Sequence, residues 1–153
     1  EVCNKMKIST KGRYGLRAML DLACHHKEGV VALKDIADRQ DISGKYLEQI
    51  FPLLKKSGLV KGVRGSQGGY ILAMSPDKIK VGDILRALEG SLAPVDCVDE
   101  NVKSSCNRLD TCATRLIWGK IKKMIDETLD SITLQDLVNE YEHLNEEQMM
   151  YYI

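Results

Sequence analysis

The sequence has no apolar run approaching the roughly 18–20 residues of a membrane helix, and no charged, apolar, small-residue leader, so neither a membrane span nor a secretory signal is expected. It has no pair of cysteines two to four residues apart, which disfavours a structural zinc site. A nucleophile paired with a base, a phosphate-binding glycine loop and a carboxylate dyad are all missing, so catalysis is not expected. No internal repeat or low-complexity tract is present. With 44% hydrophobic and 29% charged residues, the 153-residue chain is not a disordered, collagen-like or disulfide-knotted protein, and it is long enough to bury a core. Five cysteines, an odd number, are expected to be reduced thiols or metal ligands in a cytoplasmic protein.

The formal net charge is zero, but the sign is divided along the chain. Residues 1–75 hold 13 Lys and Arg against 7 Asp and Glu, whereas residues 76–153 hold 9 against 15. A basic front half beside an acidic back half points to a polyanion at one end only.

Residues 1–5, ahead of Met6, show no pattern, and no role is assigned to them. From Ser9, Leu16, Met19, Leu20 and Ala23 recur at helical spacing, with Ser9 or Thr10 able to cap the start and Gly29 to end the helix. A short extended stretch at Val30 to Ala32 follows, then a second helix over Leu33 to Gln40 with Ile36 and Ala37 inward. Asp41 and Ile42 make a turn, and Ser43 caps a third helix whose Leu47, Ile50, Leu53 and Leu54 form a buried stripe interrupted by Pro52, a helix defect.

Two short helices joined by a tight turn make a helix-turn-helix, in which the second helix enters the major groove. Leu59 to Val63 and Gly69 to Ala73 are strand-like and enclose RGSQG, so they form a hairpin wing; Gly62, Gly65, Gly68 and Gly69 provide for positive φ or close backbone approach. At the third helix stand Ser43, Lys45, Tyr46, Glu48 and Gln49, and in the wing Arg64, Ser66 and Gln67. These supply the donors and acceptors that read base edges: Gln for adenine, Arg for guanine, Glu for cytosine. Tyr46 and Leu47 serve equally well as core residues. Lys11, Arg13, Lys55, Lys56 and Lys61 are expected at phosphates.

The back half differs in kind. A short amphipathic helix over 81–89 closes at Gly90, and a loop opened by Pro94 carries Cys97, Cys106 and Cys112. The segment 113–131 reads as a long helix with Ala113, Ile117, Ile121, Met124, Ile125 and Leu129 in one stripe, widened by Leu116 and Trp118. Such a face has little to pack on in one small domain and is expected to cross a two-fold partner, making a homodimer. Thr133 and Asp136 begin a final short helix over 134–144 by a cap like the capping box. Soft thiolates spread along a loop suit an iron–sulfur cluster, which wants four protein ligands; three are here, so the fourth is unknown. Direct thiol redox sensing is the alternative. Cys24 fits a buried small hydrophobe, and Cys3 lies in the patternless start. The acidic tail ends in Tyr151, Tyr152 and Ile153, an apolar terminus beside a free carboxylate.

The blocks KGRYGL, YLEQ and RGSQGGY carry a resemblance. From Met6 to about Tyr141 the chain closely resembles the Rrf-two family of bacterial winged-helix transcription regulators, which includes an iron–sulfur cluster regulator, a nitric-oxide-sensing repressor and a cysteine-metabolism repressor. The resemblance implies a homodimer that binds a near-palindromic double-stranded DNA operator and usually represses, with base-reading positions falling on Lys45, Glu48, Gln49 and Arg64. It implies a 2Fe–2S or 4Fe–4S cluster on the three loop cysteines. The chain departs from the family pattern for the fourth ligand: Arg115 stands where the cluster regulator has histidine, and about Gly12 where some nitric-oxide sensors have an acidic residue. Asp99, Glu100, Asp110 or a small thiol remain open for that corner. The tail is similar to that of the cysteine-metabolism repressor, which implies docking into a cysteine synthase. The expected fold is thus mostly α with a small β-hairpin, a winged helix-turn-helix DNA-binding domain over residues 6–80, and the cysteine loop, long dimerisation helix and tail over 81–153.

Overall fold

The computed structural model describes residues 7–152. Helix α1 spans Thr10–Cys24, α2 Leu33–Gln40 and α3 Gly44–Lys56; strands β1 (Val60–Val63) and β2 (Gly69–Leu72) follow, then α4 (Val81–Glu89), α5 (Arg115–Ser131) and α6 (Leu134–Met150). The architecture is the mostly helical one with a single hairpin.

In α1, Ala18, Met19, Leu22 and Ala23 are buried, while Leu16 and Leu20 pack half-buried against the core. The helix stops at Cys24, short of the expected Gly29. The His25 and His26 rings donate through Nδ1 to the carbonyls of Asp21 and Ala23, adding side-chain donors to two carbonyls of the last turn, and a single 3₁₀ turn at His26–Glu28 leads to Gly29 at φ 100°. Helix α2 keeps its expected bounds and buries Ile36. Asp41, at φ 51°, makes the turn.

Ser43 precedes α3, but its hydroxyl makes no capping bond; its carbonyl accepts from Tyr46 and Leu47, and the side chain stays exposed. Pro52 does not break α3. Its ring lies exposed, and burial of Leu47, Ile50, Phe51 and Leu54, each contributing about 1.5–3 kcal/mol, outweighs a proline penalty of about 3 kcal/mol.

The hairpin pairs Val60 with Leu72 and Val63 with Gly69, and Val31 adds a bridge to Tyr70. The wing glycines have separate reasons. Gly65 takes φ 118°, and a side chain at Gly68 or Gly69 would collide with the carbonyls of Val63 and Val31. Gly62 needs neither, because a Cβ there makes ordinary contacts. The core gathers Met19, Leu22, Leu47, Phe51, Ile84 and Leu134, with Tyr70 tilted on Phe51 at 4.7 Å between ring centroids.

Gly90 closes α4 as expected, at φ 77°. Thr133 and Asp136 form a complete capping box at α6, but the helix runs to Met150 and not to Leu144, because the NEEQMM run contains no breaker and mostly good helix formers. No residue of α5 is buried: Leu116, Ile117 and Met124 are 65%, 54% and 66% exposed. No helix among the described residues is long and apolar enough to cross a membrane.

Candidate nucleic-acid interface and cysteine loop

Leu47 faces the core and turns its neighbours outward: Lys45, Glu48 and Gln49 are exposed on the first turns of α3, beside the exposed Ser43. Tyr46 is half-buried, its ring set edge-on to Tyr14 at 5.7 Å, and the Arg17 guanidinium lies 5.6 Å over the Tyr14 ring. Tyr14 is one turn beyond Lys11 and next to Arg13, both exposed, so this contact sets the first turns of α1 and α3 side by side. Arg64, Ser66 and Gln67 are exposed in the wing loop, and Lys55, Lys56 and Lys61 are exposed at its base.

What ties α2 to α1 is a side chain the periodicity does not reveal. Asp21, 4% exposed, accepts from Arg39 Nε at 3.0 and 3.1 Å, from Arg39 Nη2 at 2.7 Å and from Gln40 Nε2 at 3.0 Å. That bidentate carboxylate raises the Arg39 pKa above the usual guanidinium value. Arg17 adds bonds to the Gln40 side chain and carbonyl. A carboxylate within the stripe of Ala18 and Leu22 was the available signal, but its partner lies 18 residues away.

The loop between α4 and α5 is held from α5. Arg115 donates from Nε to the Cys97 carbonyl at 3.1 Å and from Nη1 to the Leu109 carbonyl at 3.5 Å. Cys97 and Cys112 line one cleft of about 1080 Å³ between the loop and α5, together with Leu109, Arg115, Leu116 and Lys122. The Thr114 hydroxyl, 3.1 Å from Cys112 Sγ, and the Arg115 N–H lower the Cys112 thiol pKa. Cys106 is exposed and outside that cleft. The Asp99 carboxyl is held below its ordinary range by the Ser91 hydroxyl and the Asn101 N–H, Glu100 reaches Lys122 at 3.8 Å, and Asp110 is exposed. Among the described residues no three His, Cys, Asp or Glu side chains converge closely enough to hold a metal ion. Cys24 is half-buried, and burial pushes its thiol pKa up. Tyr151 and Tyr152 project at the end of α6, 90% and 93% exposed; Ile153, like Cys3, lies outside the described residues.

Comparison with known proteins agrees with this arrangement. The Rrf2 family model, described as an iron-dependent transcriptional regulator, matches residues 8–140. The chain is 45% identical over 148 residues to the HTH-type transcriptional regulator CymR of Bacillus subtilis, covering 97% of this chain and all of that one. It is 44% identical over 140 residues to the regulator IscR of Pectobacterium atrosepticum, covering 92% of this chain and 84% of the relative. Among solved structures, T. potens IscR superimposes with a TM-score of 0.73 at 52% identity over 90% of both chains. The structure of CymR, the global cysteine regulator of B. subtilis, superimposes with 0.72 at 46% identity over 88% of this chain and 97% of that one. A basic helix-turn-helix and wing, matched along nearly their whole length by named regulators, leave one conclusion: the chain belongs to the Rrf2 family of transcriptional regulators and is not an enzyme.

Proposed function

We propose that the protein represses transcription as a homodimer on a near-palindromic operator, with its DNA affinity set by the cysteine loop. The observation that carries the DNA-reading part is the outward row Lys45, Glu48 and Gln49 on a helix anchored by the buried Leu47, next to a wing that presents Arg64, Ser66 and Gln67. Lys45, Glu48, Gln49 and Arg64 read base edges; Ser43, Tyr46, Ser66 and Gln67 flank them; Lys11 and Arg13 neutralise phosphates. The unburied face of α5 forms the two-fold contact, which sets the spacing of the two recognition helices.

The loop supplies three donors of the right chemistry for an iron–sulfur cluster in Cys97, Cys106 and Cys112, and Cys112 is already biased toward thiolate. The 44% and 52% identities to IscR proteins support this assignment. A bound cluster supplies a redox-sensitive group at the loop. The chain's own part would be to hold it on Cys97, Cys106 and Cys112, and Arg115 ties both limbs of that loop to α5. A second reading, supported by the identity to CymR and by the exposed Tyr151 and Tyr152, is a metal-free thiol regulator whose tail docks into a cysteine synthase.

Arg64→Ala is expected to weaken operator binding by roughly 1–3 kcal/mol while leaving random-sequence binding little changed. Fluorescence anisotropy on both duplexes measures this, and equal affinity of wild type and variant for the operator refutes base reading by the wing. For the loop, anaerobically purified protein is expected to absorb in the visible and to carry iron and sulfide, and Cys106→Ser to lose both without unfolding. Colourless wild-type protein that forms a reversible disulfide decides for the second reading.

A further inference from the structure

Helix N-termini are normally capped from within the same turn. In α1 the local cap is the weaker of two. The Gly12 N–H lies 3.4 Å from Ser9 Oγ but 3.0 Å from Glu89 Oε1, and the same carboxylate oxygen accepts from the Ser9 N–H at 2.9 Å and the Ser9 hydroxyl at 2.5 Å. The acceptor comes from 77 to 80 residues along the chain, at the last residue of α4. Space is kept for it: a side chain at Gly12 would collide with the Glu89 carboxylate, and one at Gly15 with Leu88. The two glycines of KGRYG therefore serve the docking of α4 on α1.

Lys11 and Arg13 lie on either side of Gly12 and are exposed. One turn before Glu89 on the same helix, Arg86 is clamped by Asp126 and Asp130 of α5, at 3.0 and 2.7 Å, and the residue after Glu89 opens the cysteine loop. Helix α4 is thus anchored to α5 by one side chain and holds the start of α1 by another.

We propose that Glu89 is a positioning residue for DNA binding: its carboxylate fixes the first turn of α1 so that Lys11 and Arg13 meet the phosphate backbone. The proposal rests on reading those two residues as phosphate partners. The experiment measures operator affinity against salt for the full chain and its Lys11→Ala, Arg13→Ala, Glu89→Ala and Glu89→Gln variants, with thermal melts alongside. Withdrawing one cation from its phosphate lowers the log–log salt slope by about 0.9 and the affinity by about tenfold near 0.1 M salt. Glu89→Ala is expected to reproduce the effect of Lys11→Ala and Arg13→Ala, whereas Glu89→Gln, which keeps an acceptor oxygen of the same reach, restores the wild-type slope. A purely structural role would change the melt and not the slope. If Glu89→Ala does not fold, Glu89→Asp, one methylene too short to reach, takes its place. An unchanged slope in Glu89→Ala, or in Glu89→Asp where that takes its place, with reduced slopes in the two cation variants, overturns the proposal alone. Unchanged slopes in Lys11→Ala and Arg13→Ala overturn the phosphate reading and the proposal with it.

Discussion

Replacing Arg39 with alanine is expected to cost about 3 kcal/mol of folding stability, toward the lower end of the roughly 3–5 kcal/mol range for a broken buried ion pair. The reason is what remains behind. Asp21 is 4% exposed on the buried face of α1, and without the guanidinium its carboxylate keeps Gln40 Nε2 at 3.0 Å and the more distant His25 ring at 3.6 Å. A buried charge with so few partners loses its hydration without recovering it. The cost stays below the top of the range because Arg39 is itself partly solvated, its side chain 37% exposed, so part of the pair's attraction is already screened. For a domain whose total stability is about 5–15 kcal/mol, this is a large fraction. Urea denaturation checks it through the midpoint. The double variant Asp21→Leu with Arg39→Met is expected to recover most of the deficit, since it removes both charges and keeps the volume. A midpoint unmoved by Arg39→Ala would show that the clamp between α1 and α2 contributes nothing.

Introducing a charge into the α5 face with Ile117→Glu is expected to have the largest effect on function. Leu116, Ile117 and Met124 are more than half exposed in one chain, and Trp118 stands 36% exposed beside them. Burying such side chains against a second copy contributes about 1.5–3 kcal/mol each. In the proposed two-fold contact, a glutamate on this face would be buried and lose solvation without a partner. The expected product is a folded monomer with operator affinity reduced by roughly 10²–10⁴-fold, because two half-sites are no longer engaged by one linked pair of recognition helices. Sedimentation and binding to full and half operators measure the two consequences. A variant that still sediments as a dimer with wild-type operator affinity removes α5 from the pairing role.

How much of this was legible beforehand depends on how local the cause is. The bounds of α2, the extended Val30 to Ala32, the hairpin and the α4 stop at Gly90 all follow from neighbours within a few residues, and all are found in place. The readings that needed correction are those where a longer-range or competing effect won. Ser43 marks the start of α3 but caps nothing with its hydroxyl, and Pro52 sits in an unbroken helix because its buried neighbours outweigh its cost. At the end of α1 two histidine rings fold back on carbonyls of the last turn, and α6 runs on because no breaker stops it. The outward side chains of the proposed DNA face were legible because Leu47, at fixed helical spacing, determines which neighbours point away.

The amino-acid order alone determined the helix-turn-helix, the glycine wing, the segregation of basic charge and the three-cysteine loop, since each is written in residue type and spacing along a short stretch. Only the tertiary structure decided that Asp21 is bound by Arg39, that Arg115 holds the cysteine loop to α5, and that Glu89 caps a helix 77 residues before it. Those contacts join groups whose separation along the chain carries no periodic signal, and they exist because packing of the apolar faces brings their backbones together.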